Sequence, residues 1–323
     1  MNLAPVELSI INLGGMQMRV ASEGTNQKGT ILLIHGWPEC WYSWRQQIQY
    51  FAQAGYRVIA PDMPGFGMSQ PFTSVEDYHC DNVADVILAL LDFYQIRNCH
   101  LVGHDFGASH AWQLALRFPE MFQTLTALSV PLHPHTKEPP MSLLRRHYED
   151  DFYYQLYFQA QGLAEREFEE RTRELLKALY CSPDTPRKAP LITSAKASAG
   201  GWIDRQGAPL ELPKWITIAD IDYYEAQYNA SGFEGGINYY RNIDRNWEMM
   251  APYKDVQLAM PVMFMAGEKD PVIKGRSEQQ LSEMMSGRVP NLSINLLPDI
   301  GHWIQQEAGE EVNLALLGFL EAN

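Results

Sequence analysis

Residues 103–107 read Gly103-His104-Asp105-Phe106-Gly107, between an apolar run at 99–102 and an Ala-rich stretch at 108–118. The pattern G-x-S-x-G is a strand-to-helix turn so sharp that its central side chain stands clear of the backbone, and glycines flank it because a Cβ has no room there. A chain that carries this turn must run a buried strand straight into a helix. In this sequence the apex is aspartate instead of serine. A serine that attacked an sp3 carbon would leave an ether, which water does not cleave. A carboxylate attacking the same carbon leaves an ester, which a base and water can hydrolyse. The turn therefore points to displacement at an alkyl carbon, not to cleavage of an acyl bond. An aspartate before a helix is also an ordinary N-cap, but a cap requires neither flanking glycine.

Strand and helix signals alternate on both sides of this turn. Residues 6–13 and 16–21, joined by Gly14-Gly15, read as an opening hairpin. Buried-strand runs follow at 30–35, 57–60, 99–102 and 122–130, separated by helical stretches at 42–54, 75–94 and 108–118. Such alternation predicts crossover units and an α/β fold with a mostly parallel sheet flanked by helices. After Pro131 the alternation stops, and the chain becomes helical, aromatic-rich and punctuated by Pro and Gly until about residue 252. It resumes with strands at 261–267 and 291–297 and helices near 276–285 and 303–322. The organisation expected is a core of 1–130 and 251–323 interrupted by a helical cap, or lid, at 131–250.

Charge narrows the function classes. The net charge is −14 over 323 residues, which argues against nucleic acid or an anionic membrane as partner. No apolar run reaches the ~18 residues of a membrane helix, and residues 1–5 lack the basic and apolar regions of a signal peptide. Cys40, Cys80, Cys99 and Cys181 have no metal or redox spacing, and read as free thiols of the cytoplasm. His133, His135 and His147 lack acidic or Cys partners at metal spacing, so no metal is expected. Gly65-Phe66-Gly67 is not followed by the G-x-x-x-x-G-K pattern of a nucleotide loop. No cofactor is called for.

Ligands of doubly wound sheets sit beyond the carboxyl ends of the strands. Four such ends carry chemistry: His35-Gly36-Trp37-Pro38, Asp105, Asp270, and His302 after the last strand. The order nucleophile, acid, histidine is that of the α/β hydrolases. On these segments, with Gly267-Glu268-Lys269-Asp270 and Gly301-His302-Trp303, the chain resembles a soluble epoxide hydrolase over nearly its whole length, of the bacterial type with the hydrolase domain alone. The resemblance implies the α/β-hydrolase fold, an epoxide and water as reactants, and a vicinal diol as product. Asp105 is then the nucleophile and His302 the base that deprotonates water. Asp270 orients the imidazole, with Glu268 and Asp299 as its rivals. The backbone N–H groups of Trp37 and Phe106 form the oxyanion hole. His35, Pro38, Gln155 and Trp303 line the substrate site, and the Trp37–Pro38 peptide is expected to be cis.

Opening an epoxide leaves an alkoxide that needs a proton, and tyrosine can supply it at neutral pH. Segments 151–158 and 236–242 are similar to the two tyrosine segments of epoxide hydrolase caps. This makes Tyr154 and Tyr240 the paired donors, with nearby Tyr153, Tyr157 and Tyr239 as alternatives. Tyrosines at helical spacing are otherwise packing residues. Haloalkane dehalogenase is the rival activity, since it shares the aspartate nucleophile; Phe106, however, offers no side-chain N–H to a halide. A silent binding protein of the same fold is the third reading. A monomer and a homodimer both fit the sequence.

Overall fold

The computed structural model describes residues 6–273 and 275–323; residues 1–5, where the sequence shows no leader pattern, lie outside them. Eight strands form one sheet: β1 Glu7–Leu13, β2 Met16–Glu23, β3 Thr30–Ile34, β4 Arg57–Pro61, β5 Cys99–His104, β6 Phe122–Leu128, β7 Val262–Gly267 and β8 Leu292–Leu297. Their order is β1-β2-β4-β3-β5-β6-β7-β8. β1 pairs antiparallel with β2 and β2 with β4, and the remaining pairs are parallel. Every residue of β3, β5 and β7 is buried, as the continuous apolar runs of a sheet covered on both faces require. Each Leu or Ile buried there contributes about 1.5–3 kcal/mol.

The helices of the sheet unit are α1 Arg45–Gln53, α2 Cys80–Phe93 and α3 Phe106–Arg117, and beyond Pro252 come three more, whose labels follow the insertion. The insertion carries α4 Pro140–Tyr148, α5 Tyr154–Tyr157, α6 Leu163–Glu170, α7 Thr172–Leu179, α8 Ile203–Gln206, α9 Ile218–Ser231, α10 Glu234–Arg241 and α11 Ile243–Met249. After it come α12 Glu278–Met285, α13 Ile304–Glu307 and α14 Gly309–Ala322. The chain leaves β3 toward β4 on one side and reaches β5 on the other. The carboxyl ends of β3 and β5 therefore flank the point where strand order reverses, which is where such sheets bind ligands.

Three local readings change. The helix expected at 42–54 opens as a 3-10 turn, Trp41–Trp44, tightened by the Ser43 hydroxyl donating back to the Cys40 carbonyl. The helix expected at 75–94 is interrupted at His79, whose backbone is extended. His79 Nδ1 accepts from the N–H groups of Asp81 and Asn82, and Asn246 Oδ1 accepts from Cys80 N–H at 2.7 Å, so α2 starts from a new cap. The terminal helix breaks at Ala308 into α13 and α14.

Two compact units result. One contains residues 1–63, 83–134 and 252–323; the other contains 64–82 and 135–251. Residues 64–82, counted with the core on sequence, are tied into the second unit by side chains far along the chain. The Tyr239 hydroxyl donates to Pro64 O at 3.0 Å, and Asn242 Nδ2 donates to Val75 O at 2.6 Å. Gly65 and Gly235 meet backbone to backbone, and a Cβ on Gly235 would lie 2.7 Å from Gly65 Cα. Only glycine permits that approach.

Candidate active site

β5 ends at His104 and α3 begins at Phe106, so Asp105 alone makes the turn. Its backbone sits at φ 53° and ψ −120°, a conformation that costs a non-glycine residue about 1–3 kcal/mol. The neighbouring glycines make the turn feasible. A Cβ on Gly103 would run into the Gly107 carbonyl, one on Gly107 into the Ile34 carbonyl, and one on Gly36 into the Asp105 side chain. The Asp105 carbonyl then accepts from the Ala108 and Ser109 N–H groups at 3.0 and 3.2 Å. The chain bends where the sequence leaves space, and the carboxylate projects from the sheet end.

The two carboxylate oxygens of Asp105 have different surroundings. Oδ1 accepts from the Trp37 N–H at 2.9 Å, and Oδ2 lies 3.3 Å from His302 Nε2. The Trp37–Pro38 peptide is cis. Phe106 opens α3, and the N–H groups of a first helical turn face away from the helix body. On the far side of the imidazole, His302 Nδ1 is 3.0 Å from Asp270 Oδ2. The other Asp270 oxygen accepts from Val272 N–H at 2.8 Å. The rivals of Asp270 face elsewhere: Asp299 is paired with Lys269 Nζ at 2.8 Å with its side chain 82% exposed, and Glu268 is exposed.

Charge follows from this geometry. Burial is the largest single influence on His302 and opposes protonation. The Asp270 charge, the hydrogen bonds to Asp105 and Asp270 and the Asp105 charge together outweigh it, and hold the imidazole well above its usual 6.5. For Asp105 burial is again the largest influence, raising its pKa, yet the His302 hydrogen bond and charge leave it below the ordinary carboxylate value. Both shifts favour the carboxylate–imidazolium form of the pair.

A buried cluster braces the histidine loop, and nothing in the linear sequence singled it out. Glu39, fully buried, accepts from Gly36 N–H at 2.8 Å on Oε2 and from Gln305 Nε2 at 2.8 Å on Oε1. His104 Nδ1 lies 2.8 Å from Glu39 Oε2, and its Nε2 donates to the His302 carbonyl at 2.9 Å. The Ser129 hydroxyl donates to that same carbonyl at 2.8 Å. The Glu307 carboxylate takes the N–H groups of Gly301 and Trp303 at 3.2 and 3.0 Å. A Cβ on Gly267 would strike the Ile300 carbonyl, so glycine there lets the acid and base loops lie together. The available clue was position: Glu39 directly follows the HGWP motif, and His104 sits inside the elbow.

Among residues expected to line the substrate site, His35 does something else. It is 1% exposed; its Nε2 accepts from Met63 N–H at 2.9 Å, and its Nδ1 donates to Gly36 O at 2.9 Å. Both ring nitrogens hold main chain, so His35 fixes the loop that carries Trp37. Trp303 is 5% exposed and packs edge-on against the His302 ring, 4.9 Å between centroids.

The tyrosines of the second unit differ in their surroundings. Tyr239 is committed to Pro64 O, and the Tyr157 hydroxyl donates to Glu167 Oε2 at 2.8 Å. Tyr153 stacks on Tyr148 at 4.3 Å. Tyr154 and Tyr240 meet each other edge to face, 5.8 Å between centroids. Gln155 Nε2 donates to the Tyr154 oxygen at 3.0 Å. Among the described residues, no group of three or more His, Cys, Asp or Glu is arranged to hold a metal ion, and no helix is long and apolar enough to cross a membrane.

Comparison with known proteins identifies the family. Residues 29–308 match the family model described as alpha/beta hydrolase fold. The chain is 35% identical to Epoxide hydrolase A of Mycobacterium tuberculosis across 98% of both chains. It is likewise 35% identical to Epoxide hydrolase 3 of Siraitia grosvenorii, again across 98% of each. The crystal structure of Epoxide Hydrolase A from Mycobacterium thermoresistibile superposes with a TM-score of 0.89 at 34% identity, covering 98% of both chains.

Proposed function

Because this chain belongs to the α/β-hydrolase fold family and, within it, to the epoxide hydrolases, we propose that it converts epoxides to vicinal diols through an ester formed on Asp105. The observation that carries this reading is the line Trp37 N–H, Asp105, His302, Asp270, with contacts of 2.9, 3.3 and 3.0 Å. In the first step Asp105 Oδ2 bonds to an epoxide carbon and the ring C–O bond breaks. Tyr154 and Tyr240 of the helical cap donate to the departing oxygen, and one of them gives up its proton. Oδ1, held by Trp37 N–H, becomes the carbonyl oxygen of the ester.

Ester formation removes the Asp105 charge, and with it two of the influences that hold His302 protonated. The imidazole loses its proton to solvent, offsetting the proton that the tyrosine takes back. Neutral His302, oriented by Asp270, then deprotonates water, which adds to Cγ of Asp105. The oxyanion that forms on Oδ1 is met by the N–H groups of Trp37 and Phe106. When the Cγ–Oδ2 bond breaks, the imidazolium gives its proton to the departing oxygen; the diol leaves with an oxygen that belonged to Asp105, water's oxygen stays on the protein, and the Asp105 acid returns its proton to His302. The base is therefore made available by the first half-reaction itself.

The substrate is a lipophilic epoxide, a reading supported by the aromatic content of the cap segments. A reducing, cytoplasmic setting fits the four cysteines, which are buried and form no disulfide among the described residues. The test is a pulse of styrene oxide on His302→Gln. An intact-mass increase equal to one substrate, mapped to the peptide containing Asp105, is expected; a variant that stays unmodified while losing turnover would refute the ester.

A further inference from the structure

Tyr154 lies on α5, a helix of only four residues, which by itself fixes a ring poorly. Its ring is stacked on Trp202, 5.0 Å between centroids and 16° between planes. Trp202 also meets Phe158 edge to face at 5.6 Å. Tyr154 and Trp202 are both half-buried, so the stack adds little core area but fixes a plane.

Trp202 is held unusually firmly for a residue in an irregular segment. The Glu167 carboxylate accepts from Trp202 N–H at 3.0 Å and from Ile203 N–H at 2.9 Å. Upstream, residues 194–201 are gathered around Arg205. Its guanidinium donates to the carbonyls of Ser194 and Lys196 at 2.6 Å each, of Gly200 at 3.1 Å and of Gly201 at 3.1 Å. It also lies 4.3 Å over the Phe152 ring. A rigid fork of five donors can meet several carbonyls only where the loop is ordered around it.

The same segment is fastened to the approach to α5. Phe152 N–H donates to Ala195 O at 2.7 Å and Ala197 N–H to Asp150 O at 2.8 Å, with an antiparallel bridge between Asp151 and Lys196. Lys196 Nζ pairs with Asp151 Oδ1 at 2.8 Å. Two charged anchors, Glu167 and Arg205, thus converge on the backbone that presents one indole to one phenol. Gln155 meanwhile donates to the Tyr154 oxygen.

We propose that Trp202 is a positioning residue for Tyr154: anchored by Glu167 and the Arg205-bound segment, its ring sets the angle from which the Tyr154 hydroxyl donates to the epoxide oxygen. This rests on the reading of Tyr154 as a donor. It acts on ester formation alone, since hydrolysis of the ester uses His302.

Single-turnover measurements on Trp202→Ala, Trp202→Phe, Tyr154→Phe and the double variant Trp202→Ala/Tyr154→Phe test it. Misplacing a donor by about 1 Å should slow ester formation roughly 10- to 100-fold in Trp202→Ala, with ester hydrolysis within about twofold of wild type. Trp202→Phe, which keeps a flat ring, should recover most of the rate. In the double variant, Trp202→Ala should add nothing to the Tyr154→Phe defect. Equal slowing of both half-reactions, or the same factor in the Tyr154→Phe background as in wild type, would overturn the proposal. If Tyr154→Phe is slow and Trp202→Ala is not, the positioning role falls alone. If Tyr154→Phe forms ester at the wild-type rate, the donor reading falls and the positioning role with it. Should Trp202→Ala not fold, Trp202→Leu, which keeps bulk without a flat face, takes its place under the same criteria.

Discussion

Asp105→Asn reproduces the charge state of the ester in a protein that can be titrated. The carboxylate and the imidazolium stand 3.3 Å apart. At an effective dielectric constant of about 20 their attraction is about 5 kcal/mol. Solvent reaches both side chains, which are 16% and 15% exposed, and reduces that figure. A marked fall in the His302 pKa is the expected outcome. The sign is fixed: Asp105 raises His302, so removing its charge lowers it, while Asp270 at 3.0 Å continues to raise it. Nitrogen-15 NMR of the imidazole rings, with His302 assigned by its absence in His302→Gln, measures both forms. Wild-type His302 should remain protonated through neutral pH, and the variant's should titrate at or below it. Stability offers a second readout. A raised His302 stabilises the folded state below its unfolded pKa of about 6.5, and this is lost as pH rises through the folded value. Wild type should therefore lose stability relative to the variant across that rise. If both proteins titrate His302 within about half a unit of each other, the base is not released by esterification and that part of the mechanism is wrong.

Three other outcomes are expected. In wild type, lowering the pH should slow ester hydrolysis before ester formation, because His302 must be neutral for the former while Asp105, held below its ordinary value, stays ionised for the latter; quenched-flow mass spectrometry should find more ester near pH 5.5 than near pH 8 (both approximate choices), and constant ester levels would contradict this. Glu39→Ala removes one partner of a fully buried cluster and should cost about 3–5 kcal/mol in denaturant unfolding, with Glu39→Gln milder; a cost below about 1 kcal/mol would show the cluster to be dispensable. Tyr239→Phe should lose about 1 kcal/mol of stability with ester formation intact, because its hydroxyl binds Pro64 O, whereas Tyr240→Phe should slow ester formation and leave stability nearly unchanged; the reverse result would exchange their roles.

The sheet was legible because its signals are local. Ile31-Leu32-Leu33-Ile34 and Val262-Met263-Phe264-Met265-Ala266 are continuous apolar runs, and the elbow's glycines mark one turn whose sterics allow little else. The order of Asp105, Asp270 and His302 was legible for the same reason, since each follows a strand. What was hidden depends on partners distant in sequence. The break at His79 is made by its own ring together with Asn246, 166 residues from Cys80, and apolar periodicity runs through it unaltered. His35 reads as a ligand residue in its motif, but Met63 occupies one of its nitrogens. Glu39 and His104 read as incidental polar residues until the fold brings Gln305 and the His302 carbonyl to them. Trp202 carried no signal, because a stack with Tyr154 requires the intervening chain to fold back on itself.

Oxygen transfer tests the covalent ester most directly. With enzyme in excess over epoxide in water enriched in oxygen-18, one turnover should place the label in the Asp105 peptide and release a diol built from unlabelled oxygen. A labelled diol with an unlabelled protein would mean that water attacked the epoxide itself, and Asp105 could not then be the nucleophile.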